Sequence, residues 1–268
     1  MIDRREIDVL RSLLESNAET TSTDLIERFG GDTASLQSVI ESLERDGYCF
    51  EQKAGTIRLL SEPDAVRPQS VGARLTTHTI GREVYVFRET RSTNDLARQA
   101  GLGKASEGVV FFAEQQTAGR GTHGRNWVSQ GNQGLWFSIL LRSTLPVERW
   151  PVLVQMAALA AAEAAEAWID DPIAIKPPND LVLGGGKLAG FLLETSNAWN
   201  FQVLGIGVNV RSAPQIEGYP TSALDDFARK RLPLSELAAG ILNRFEDWYL
   251  RKTVEWVAEA VANSKFPL

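Results

Sequence analysis

The chain has 268 residues, of which 43% are hydrophobic and 23% charged, with 34 acidic and 28 basic side chains. This composition is typical of a folded protein and excludes a disordered chain, a collagen-like repeat and a coiled-coil rod. The single cysteine, Cys49, excludes a disulfide framework and a zinc site built from cysteines, and two histidines argue against a histidine-rich metal centre. No apolar run is long enough to span a bilayer, and the charged first residues are unlike a secretory signal, so a cytoplasmic protein is expected.

The length predicts about two domains, and the first has its own charge and pattern. Residues 1–64 hold 14 acidic and 7 basic side chains. Their apolar residues repeat three times at helical spacing and then alternate on both sides of a turn at residues 53–55. Capping residues, Ser22 or Thr23 and then Asp32 or Thr33, precede the second and third helices. Three helices and a two-stranded hairpin are typical of a winged helix-turn-helix, and residues 61–72, with two prolines, are predicted to be a linker.

The helix that would contact DNA in such a domain has the wrong charge for that task. Residues 32–45 contain Asp32, Glu41 and Glu44 but only one basic side chain, Arg45. Phosphate contacts supply most non-specific DNA affinity, and they require lysine or arginine. The pattern therefore favours a packing role for this domain over DNA binding, and DNA stays open as a partner.

Residues 65–268 alternate strand and helix patterns and are predicted to form a second domain. The residues of 135–141 alternate as in a strand with one buried face. A mixed sheet with helices on it, an α+β fold, is expected. Strands are predicted at residues 83–89, 108–113, 135–141, 173–176, 181–183, 188–194 and 203–210, and helices at residues 93–100, 151–168, 234–250 and 253–263.

The most unusual segment is residues 114–127, whose glycines have the spacing G-x-G-x-x-G. A dinucleotide-binding fingerprint requires an apolar helix directly after the glycines, and none follows here, so that interpretation is rejected. A glycine-rich loop with Arg120 and Arg125 remains, and such a loop suits a phosphate or carboxylate. The alternative is a surface loop with solvated arginines.

Three further segments place polar groups at strand ends. Residues 176–180 read Lys-Pro-Pro-Asn-Asp, in which the carboxylate of Asp180 suits Mg²⁺; the alternative is a simple turn. Lys187 follows three glycines but lacks the Ser or Thr of a P-loop, so a glycine hairpin is predicted instead, with a snorkelling lysine as the alternative. Alternating glycines before Asn209 predict that a ligand or another chain segment lies close to that strand.

In this order, the segments resemble the biotin protein ligase family in its form with an N-terminal winged helix. The resemblance covers roughly residues 1–250 and implies a mixed-sheet catalytic domain of the biotin/lipoate ligase type. It rests on Ser92-Thr93-Asn94, on residues 114–127, on KPPND at 176–180, on GKLAGFLLE at 186–194 and on GIGVN at 205–209.

The resemblance implies a two-step reaction. Biotin and ATP, with Mg²⁺, form biotinyl-5′-AMP, and the biotinyl group then passes to one lysine of a biotin carboxyl carrier protein of acetyl-CoA carboxylase or a related enzyme. Positioning and electrostatics carry such chemistry, so no covalent nucleophile is needed.

The resemblance also implies roles for individual residues. Lys187, Arg120 and Asp180 are expected to be catalytic, and Asp180 to hold the metal. Biotin is expected to contact Ser92, Thr93, Asn94, Gln116, Gly119, Arg120, Gly121, Thr122, Lys187 and Gly190. The nucleotide is expected to contact Arg125, Trp127, Lys176, Asn179, Asp180 and Asn209.

The sequence departs from the family pattern at three places. Thr122 and His123 stand where the family usually has basic residues after G-R-G, which predicts looser retention of the adenylate. Pro177 stands where the family typically has tryptophan. Members with a winged helix normally continue into a small C-terminal β-barrel, which this chain is expected to lack.

Two alternative functions stay open at this point. The first is a DNA-binding regulator that responds to biotin or biotinyl-AMP and transfers weakly. The second is a lipoate-type acyl ligase, since the two families share a catalytic fold. Relatives often dimerise through an edge of the catalytic sheet, so a homodimer is also an expectation.

Overall fold

The computed structural model describes residues 3–17, 19–196, 198–251 and 254–263. They form two compact units, and the boundary in the sequence falls between Arg74 and Leu75 rather than after residue 64 as predicted. The difference arises because part of the predicted linker is a helix, Pro68–Arg74, that packs on the first helix of the N-terminal unit.

The N-terminal unit has three helices, a small sheet and this additional helix. The predicted order of helices and hairpin is present, with one further strand that pairs with the second strand of the hairpin. The caps are Thr21, one residue before the predicted Ser22 or Thr23, and Asp32. The elements are α1 (Arg4–Glu15), β1 (Glu19–Thr21), α2 (Ser22–Phe29), α3 (Thr33–Arg45), β2 (Cys49–Lys53), β3 (Thr56–Ser61) and α4 (Pro68–Arg74).

A buried apolar cluster and a buried hydrogen bond hold α4 within this unit. Leu10, Leu13 and Ile40 are fully buried in a core that the three helices share with the hairpin. The hydroxyl of Tyr48 lies 2.6 Å from that of Ser70 on α4, and both are buried. The N-terminal unit therefore extends beyond the hairpin, and its assignment as a winged helix stays a prediction.

The second unit is built on a seven-stranded mixed sheet, which confirms the predicted α+β catalytic fold. Its strand order is β4-β5-β6-β10-β9-β8-β7, with β4 and β5 parallel and the remaining neighbours antiparallel. All seven predicted strands are present, with ends within three residues of those predicted. The elements are β4 (Val84–Thr90), α5 (Thr93–Leu102), β5 (Val110–Gln116), β6 (Gly134–Leu141), α6 (Pro151–Glu166), β7 (Ala174–Lys176), β8 (Asp180–Leu183), β9 (Gly186–Glu194), β10 (Gln202–Asn209), α7 (Leu234–Arg251) and α8 (Val254–Asn263).

The centre of the sheet is buried on both sides. All eight residues of β6 and all eight of β10 are buried, so the expectation of one buried face at residues 135–141 is wrong. Helix α5 packs against β5, β6 and β10, while the alanine-rich α6 packs against α7 and the strands β7 to β10. Small side chains on α6 permit this close packing, and the alternation in β6 reflects two different packing partners. None of the helices in the described part of the chain is both long and apolar enough to cross a membrane.

Candidate functional site

A cavity of about 330 Å³ lies on the second unit, beside β9 and β10 and the glycine-rich loop. Most of the predicted site residues line it: Ser92, Thr93, Asn94, Gln116, Arg120, Gly121, Thr122, Arg125, Trp127, Asn179, Lys187, Gly190 and Asn209. Gly119, Lys176 and Asp180 are not among the lining residues, although Asp180 contacts one of them. The structure thus brings five separate sequence segments to one place.

The first turn of α5 supplies a buried polar group to one wall of the cavity. The backbone N–H of Thr93 donates to Oε1 of Gln116 at 2.8 Å, and Nε2 of Gln116 donates to Oγ of Ser129 at 2.7 Å. The hydroxyls of Thr93 and Ser138 are 2.7 Å apart, and Ser138 donates to Oδ1 of Asn94 at 2.5 Å. Because these groups bond one another, the side-chain amides are held in fixed orientations before any ligand arrives.

Two carboxylates bind the guanidinium group of Arg120, that of Glu194 on β9 and that of Asp95 on α5. Its Nε and one terminal nitrogen each donate to Glu194 at 3.0 Å, and the other terminal nitrogen lies 3.1 Å from Asp95. The Glu194 hydrogen bonds are the main cause that raises the pKa of Arg120 above its ordinary value. Glu194 also accepts from Nδ2 of Asn94 at 2.9 Å, so it connects the glycine-rich loop to the polar wall.

Lys187 is the second residue of β9, directly after the glycine turn that joins this strand to β8. Its Nζ lies 2.7 Å from Oδ1 of Asp180 and 5.3 Å from the ring centre of Trp127. Both charged side chains are largely buried, with 22% of Lys187 and 16% of Asp180 exposed. The hairpin predicted for this segment is confirmed by the antiparallel pairing of β8 with β9.

Glycines on neighbouring strands make room for these side chains. Gly190 on β9 and Gly207 on β10 face each other in register, and the ring of Trp127 lies over both. A Cβ at Gly207 would be 2.5 Å from that ring, and one at Gly205 would be 2.4 Å from Oδ1 of Asn94. The close approach predicted from the alternating glycines is therefore present, and the approaching groups are Trp127 and Asn94.

Two of the predicted nucleotide-binding residues hydrogen-bond to backbone carbonyls in the structure. Nδ2 of Asn179 donates to the carbonyl of Phe191 at 3.0 Å, and Nδ2 of Asn209 donates to the carbonyl of Ser222 at 3.2 Å. Both contacts join neighbouring segments around the cavity. Lys176 is exposed at the end of β7, and its contact with a nucleotide stays a prediction.

The glycine-rich loop has a compact fold of its own. Residues 122–124 form a 3-10 turn, which agrees with the rejection of a dinucleotide-binding helix. The N–H of Gly121 donates to the carbonyl of Arg125 at 2.7 Å. A Cβ at Gly119 would be 2.4 Å from the carbonyl of Trp127, so this position requires glycine for packing.

Sequence reasoning missed several participants. Glu194 belongs to the segment GKLAGFLLE, but its contacts with Arg120 and Asn94 arise from the tertiary fold. Ser138, which is fully buried, stands among apolar residues of β6, and a lone hydroxyl in such a strand was the available signal. The segment that supplies Pro214, Ile216, Tyr219 and Thr221 to the cavity has no pattern that predicts this role.

Few side chains in the described part of the chain could bind a metal ion at the cavity. The described part of the chain contains no group of three or more His, Cys, Asp or Glu side chains able to hold a metal ion. Asp180 is a single carboxylate already paired with Lys187. Mg²⁺ typically needs only one or two protein carboxylates when substrate phosphates and water complete its shell, so these residues fit a metal that arrives with a nucleotide.

Comparison with known proteins agrees with this geometry. A profile of the Biotin/lipoate A/B protein ligase family matches residues 86–210. The bifunctional ligase/repressor BirA of Bacillus subtilis is 30% identical over 219 residues, which are 78% of this chain and 67% of that protein. The biotin–[acetyl-CoA-carboxylase] ligase of Mycobacterium tuberculosis is 38% identical over 177 residues, which are 62% of this chain and 66% of that protein. The chain thus spans about two thirds of the length of these curated relatives.

A solved structure extends the similarity to three dimensions. The biotin protein ligase of Leishmania major in complex with biotinyl-5-AMP superposes with a TM-score of 0.62 at 28% identity. The match covers 70% of this chain and 84% of that protein.

Proposed function

The chain belongs to the biotin protein ligases, within the biotin/lipoate A/B protein ligase family, and from this premise we propose that it biotinylates a carrier protein. In the first step biotin and ATP give biotinyl-5′-AMP and pyrophosphate. In the second, the biotinyl group passes to a lysine of a biotin carboxyl carrier protein. Acetyl-CoA carboxylase or a related carboxylase would supply this acceptor in the cytoplasm.

The observation that carries the proposal is the polarity of the cavity. Neutral amides and hydroxyls that hydrogen-bond one another line one wall of the cavity. The ammonium group of Lys187 lies at another wall. Biotin has the same division, with a neutral polar head group at one end and a carboxylate at the other. Thr93, Asn94 and Gln116 would therefore hold the head group, and Lys187 would meet the carboxylate.

The first step requires a carboxylate to attack the α-phosphate of ATP. Two anions repel each other, so cations must be placed where they meet. Lys187 and Arg125 line the cavity and would supply this charge, while Arg120 would keep the glycine-rich loop against Glu194. Asp180 would be available to hold Mg²⁺ that arrives with the phosphates, and this ion would reduce the repulsion further.

In the second step a neutral lysine amine attacks the acyl carbon, AMP leaves with the electrons of the broken acyl–oxygen bond, and the proton lost by the amine passes to water. Lys187 would stay close to the acyl oxygen and stabilise the negative charge that develops there. Asp180, held 2.7 Å from Lys187, would orient this ammonium group and receive the incoming amine. These groups act by position and charge, and no bond forms between the protein and biotin.

A direct assay tests the proposal. The purified full chain is incubated with biotin, Mg-ATP and a biotin carboxyl carrier domain, and the mass of the carrier is measured intact. We expect the mass to increase by one biotinyl group, Lys187→Ala to abolish this increase, and excess octanoate to leave it unchanged. An unmodified carrier, or an octanoyl group in place of biotin, would refute the proposal.

The Bacillus subtilis relative is named a ligase and a repressor, and repression gives a second candidate function for this chain. The element order of the N-terminal unit favours it, but Asp32, Glu41 and Glu44 are exposed on and before α3. These carboxylates would repel DNA phosphates. Transcriptional regulation therefore ranks below ligation, and biotin-dependent retardation of promoter DNA by the full chain would reverse that order.

A further inference from the structure

One carboxylate that does not line the cavity hydrogen-bonds to two side chains that do. Glu194 is the last residue of β9, and its Oε1 accepts from Nε of Arg120 at 3.0 Å. Its Oε2 accepts from a terminal nitrogen of Arg120 at 3.0 Å and from Nδ2 of Asn94 at 2.9 Å. Arg120 and Asn94 both line the cavity, whereas Glu194 does not. A single oxygen atom, Oε2, therefore receives hydrogen bonds from both.

The contact with Glu194 decides which way the side-chain amide of Asn94 faces. A carboxylate only accepts hydrogen bonds, so the nitrogen of the amide must be the atom that faces it. The amide oxygen is then left to accept from the hydroxyl of Ser138, at 2.5 Å. If the amide turned by half a rotation, its oxygen would face the carboxylate, and two acceptors repel each other. The second N–H of Asn94 is therefore held in one direction before a ligand arrives.

The contact with Arg120 restrains both sides of the turn in the glycine-rich loop. The guanidinium and the carboxylate form two hydrogen bonds, a geometry that fixes the relative orientation of both groups. The backbone of Arg120 pairs with that of Asn126 in an antiparallel bridge, so a restraint on Arg120 reaches the other side of the turn. Arg125 and Trp127, the neighbours of Asn126, line the cavity. Glu194 thus helps to determine where these two side chains lie.

We propose that Glu194 is a positioning residue for biotin, which orients the Asn94 amide for the head group and, through Arg120, holds the glycine-rich loop at the same cavity. The inference deepens the proposed function and rests on it. One negative charge serves both tasks, so neutralising it disturbs head-group recognition and the position of the loop at once. An ion pair that only stabilised the fold would not link these two properties.

Asp95 provides a matched control within the same cluster of charges. Its carboxylate lies 3.1 Å from the other terminal nitrogen of Arg120, and 25% of its side chain is exposed, the same fraction as for Glu194. Its contact with the partly exposed Arg98, at 3.6 Å, is an ion pair of the kind that contributes little. Within the described residues the Asp95 side chain makes no hydrogen bond to Asn94. Both carboxylates restrain the loop, and only Glu194 also orients the amide.

The first experiment tests the restraint of the loop without any ligand. Hydrogen exchange of the full chain is followed by mass spectrometry in peptides that cover residues 119–127. We expect faster exchange of these peptides in Glu194→Gln and in Asp95→Asn than in the wild-type chain, while peptides of β6 keep their rates. Loop peptides that exchange at the wild-type rate in Glu194→Gln would overturn the inference.

The second experiment measures biotin binding by calorimetry in the absence of ATP. Hydrogen bonds to charged groups are the stronger ones, so loss of the Glu194 charge releases the amide from its fixed orientation. We expect Glu194→Gln to weaken biotin about ten-fold or more and Asp95→Asn about three-fold or less. Equal weakening by the two variants would contradict the role of Glu194 at the amide. A wild-type chain that binds no biotin would instead refute the proposed function, and with it any role in biotin binding.

A double-mutant cycle distinguishes positioning from a general loss of structure. Asn94→Ala should weaken biotin about ten-fold in the wild-type background but about three-fold or less in Glu194→Gln, because the amide is already misplaced there. Losses that multiply fully in the double variant would overturn the inference. If Glu194→Gln does not fold, the cycle between Asn94→Ala and Arg120→Lys replaces it. Two donors that share one oxygen should then give less than multiplicative losses, and fully multiplicative ones would count equally against the inference.

Discussion

Gly205→Ala tests whether the polar wall of the cavity recognises biotin. The added Cβ would be 2.4 Å from Oδ1 of Asn94 and 3.1 Å from its Nδ2, whereas ordinary contacts begin near 3.4 Å. The amide must therefore move by about 1 Å, because β10 is paired on both sides and cannot yield easily. Such a movement stretches the bonds that Asn94 makes with Ser138 at 2.5 Å and with Glu194 at 2.9 Å.

The expected changes in stability and in the KM for biotin follow from these two contacts. Overpacking of a buried site typically costs about 1–3 kcal/mol, so the free energy of unfolding should fall by that amount. Loss of one well-oriented hydrogen bond to a neutral head group costs about 0.5–1.5 kcal/mol, and a second misplaced group doubles it. The KM for biotin should therefore rise about ten-fold, while the KM for ATP and the rate at saturating biotin change less.

The assay is pyrophosphate release as a function of biotin at saturating ATP, together with urea unfolding. Gly101→Ala is the matched control: it lies on the same helix as Asn94, and its Cβ would be 2.6 Å from the ring of Phe201, away from the cavity. We expect the control to lower stability and leave the KM for biotin unchanged. An unchanged KM in Gly205→Ala, or an equal rise in Gly101→Ala, would refute the assignment of Asn94 to the head group.

Three further predictions address charge and ionisation. Lys187→Met should lower the rate of adenylate formation about 10²–10³-fold, while the exposed Lys104→Met keeps the wild-type rate; a loss below ten-fold in rapid-quench pyrophosphate assays would contradict the role of Lys187. Thr122→Arg places a guanidinium on the cavity wall and should slow adenylate release about ten-fold in a pulse-chase, and an unchanged lifetime would contradict the effect of that position. Burial raises the pKa of Tyr48 to about 12 in the folded protein, above its ordinary value of 10. As the pH rises, the tyrosine therefore loses its proton in the unfolded chain before it does so in the folded protein. The resulting stability is present below pH 10 and is lost by up to about 1.4 kcal/mol per pH unit towards pH 12. Because the pKa of Tyr249 is also raised by burial, Tyr48→Phe should reduce this slope in urea unfolding rather than abolish it, and an identical slope in the variant would refute the assignment.

The parts of the fold that sequence alone could predict are those with long regular patterns. The strand β6, the helix α6 and the hairpin around Lys187 lie where periodicity and turn residues placed them. The alternating glycines of β10 correctly predicted a close contact, because a missing side chain in a buried strand implies that another group fills the space. The identity of that group, Asn94 or Trp127, depends on distant segments and could not be inferred.

The errors have equally physical reasons. Helix α4 begins with Pro68, which suits the first turn of a helix as well as a linker, and its packing on α1 decided between them. Glu194 has no local signal for an ion pair with a residue 74 positions away. The three-residue strand β1 is too short for any periodicity and exists because it pairs with β3.

The charges around the cavity give a reason why the reaction needs a metal with its nucleotide. Arg120 and Arg98 are opposed by Glu194 and Asp95, and Lys187 by Asp180, so these six groups together carry no net charge. Arg125, exposed on the glycine-rich loop, adds one positive charge. One net positive charge offsets only part of the repulsion between a carboxylate and a triphosphate, which is long-ranged in a partly buried site. Magnesium arriving with the phosphates would supply the remaining charge, while Lys187 and Arg125 would act locally, at the oxygens where charge develops.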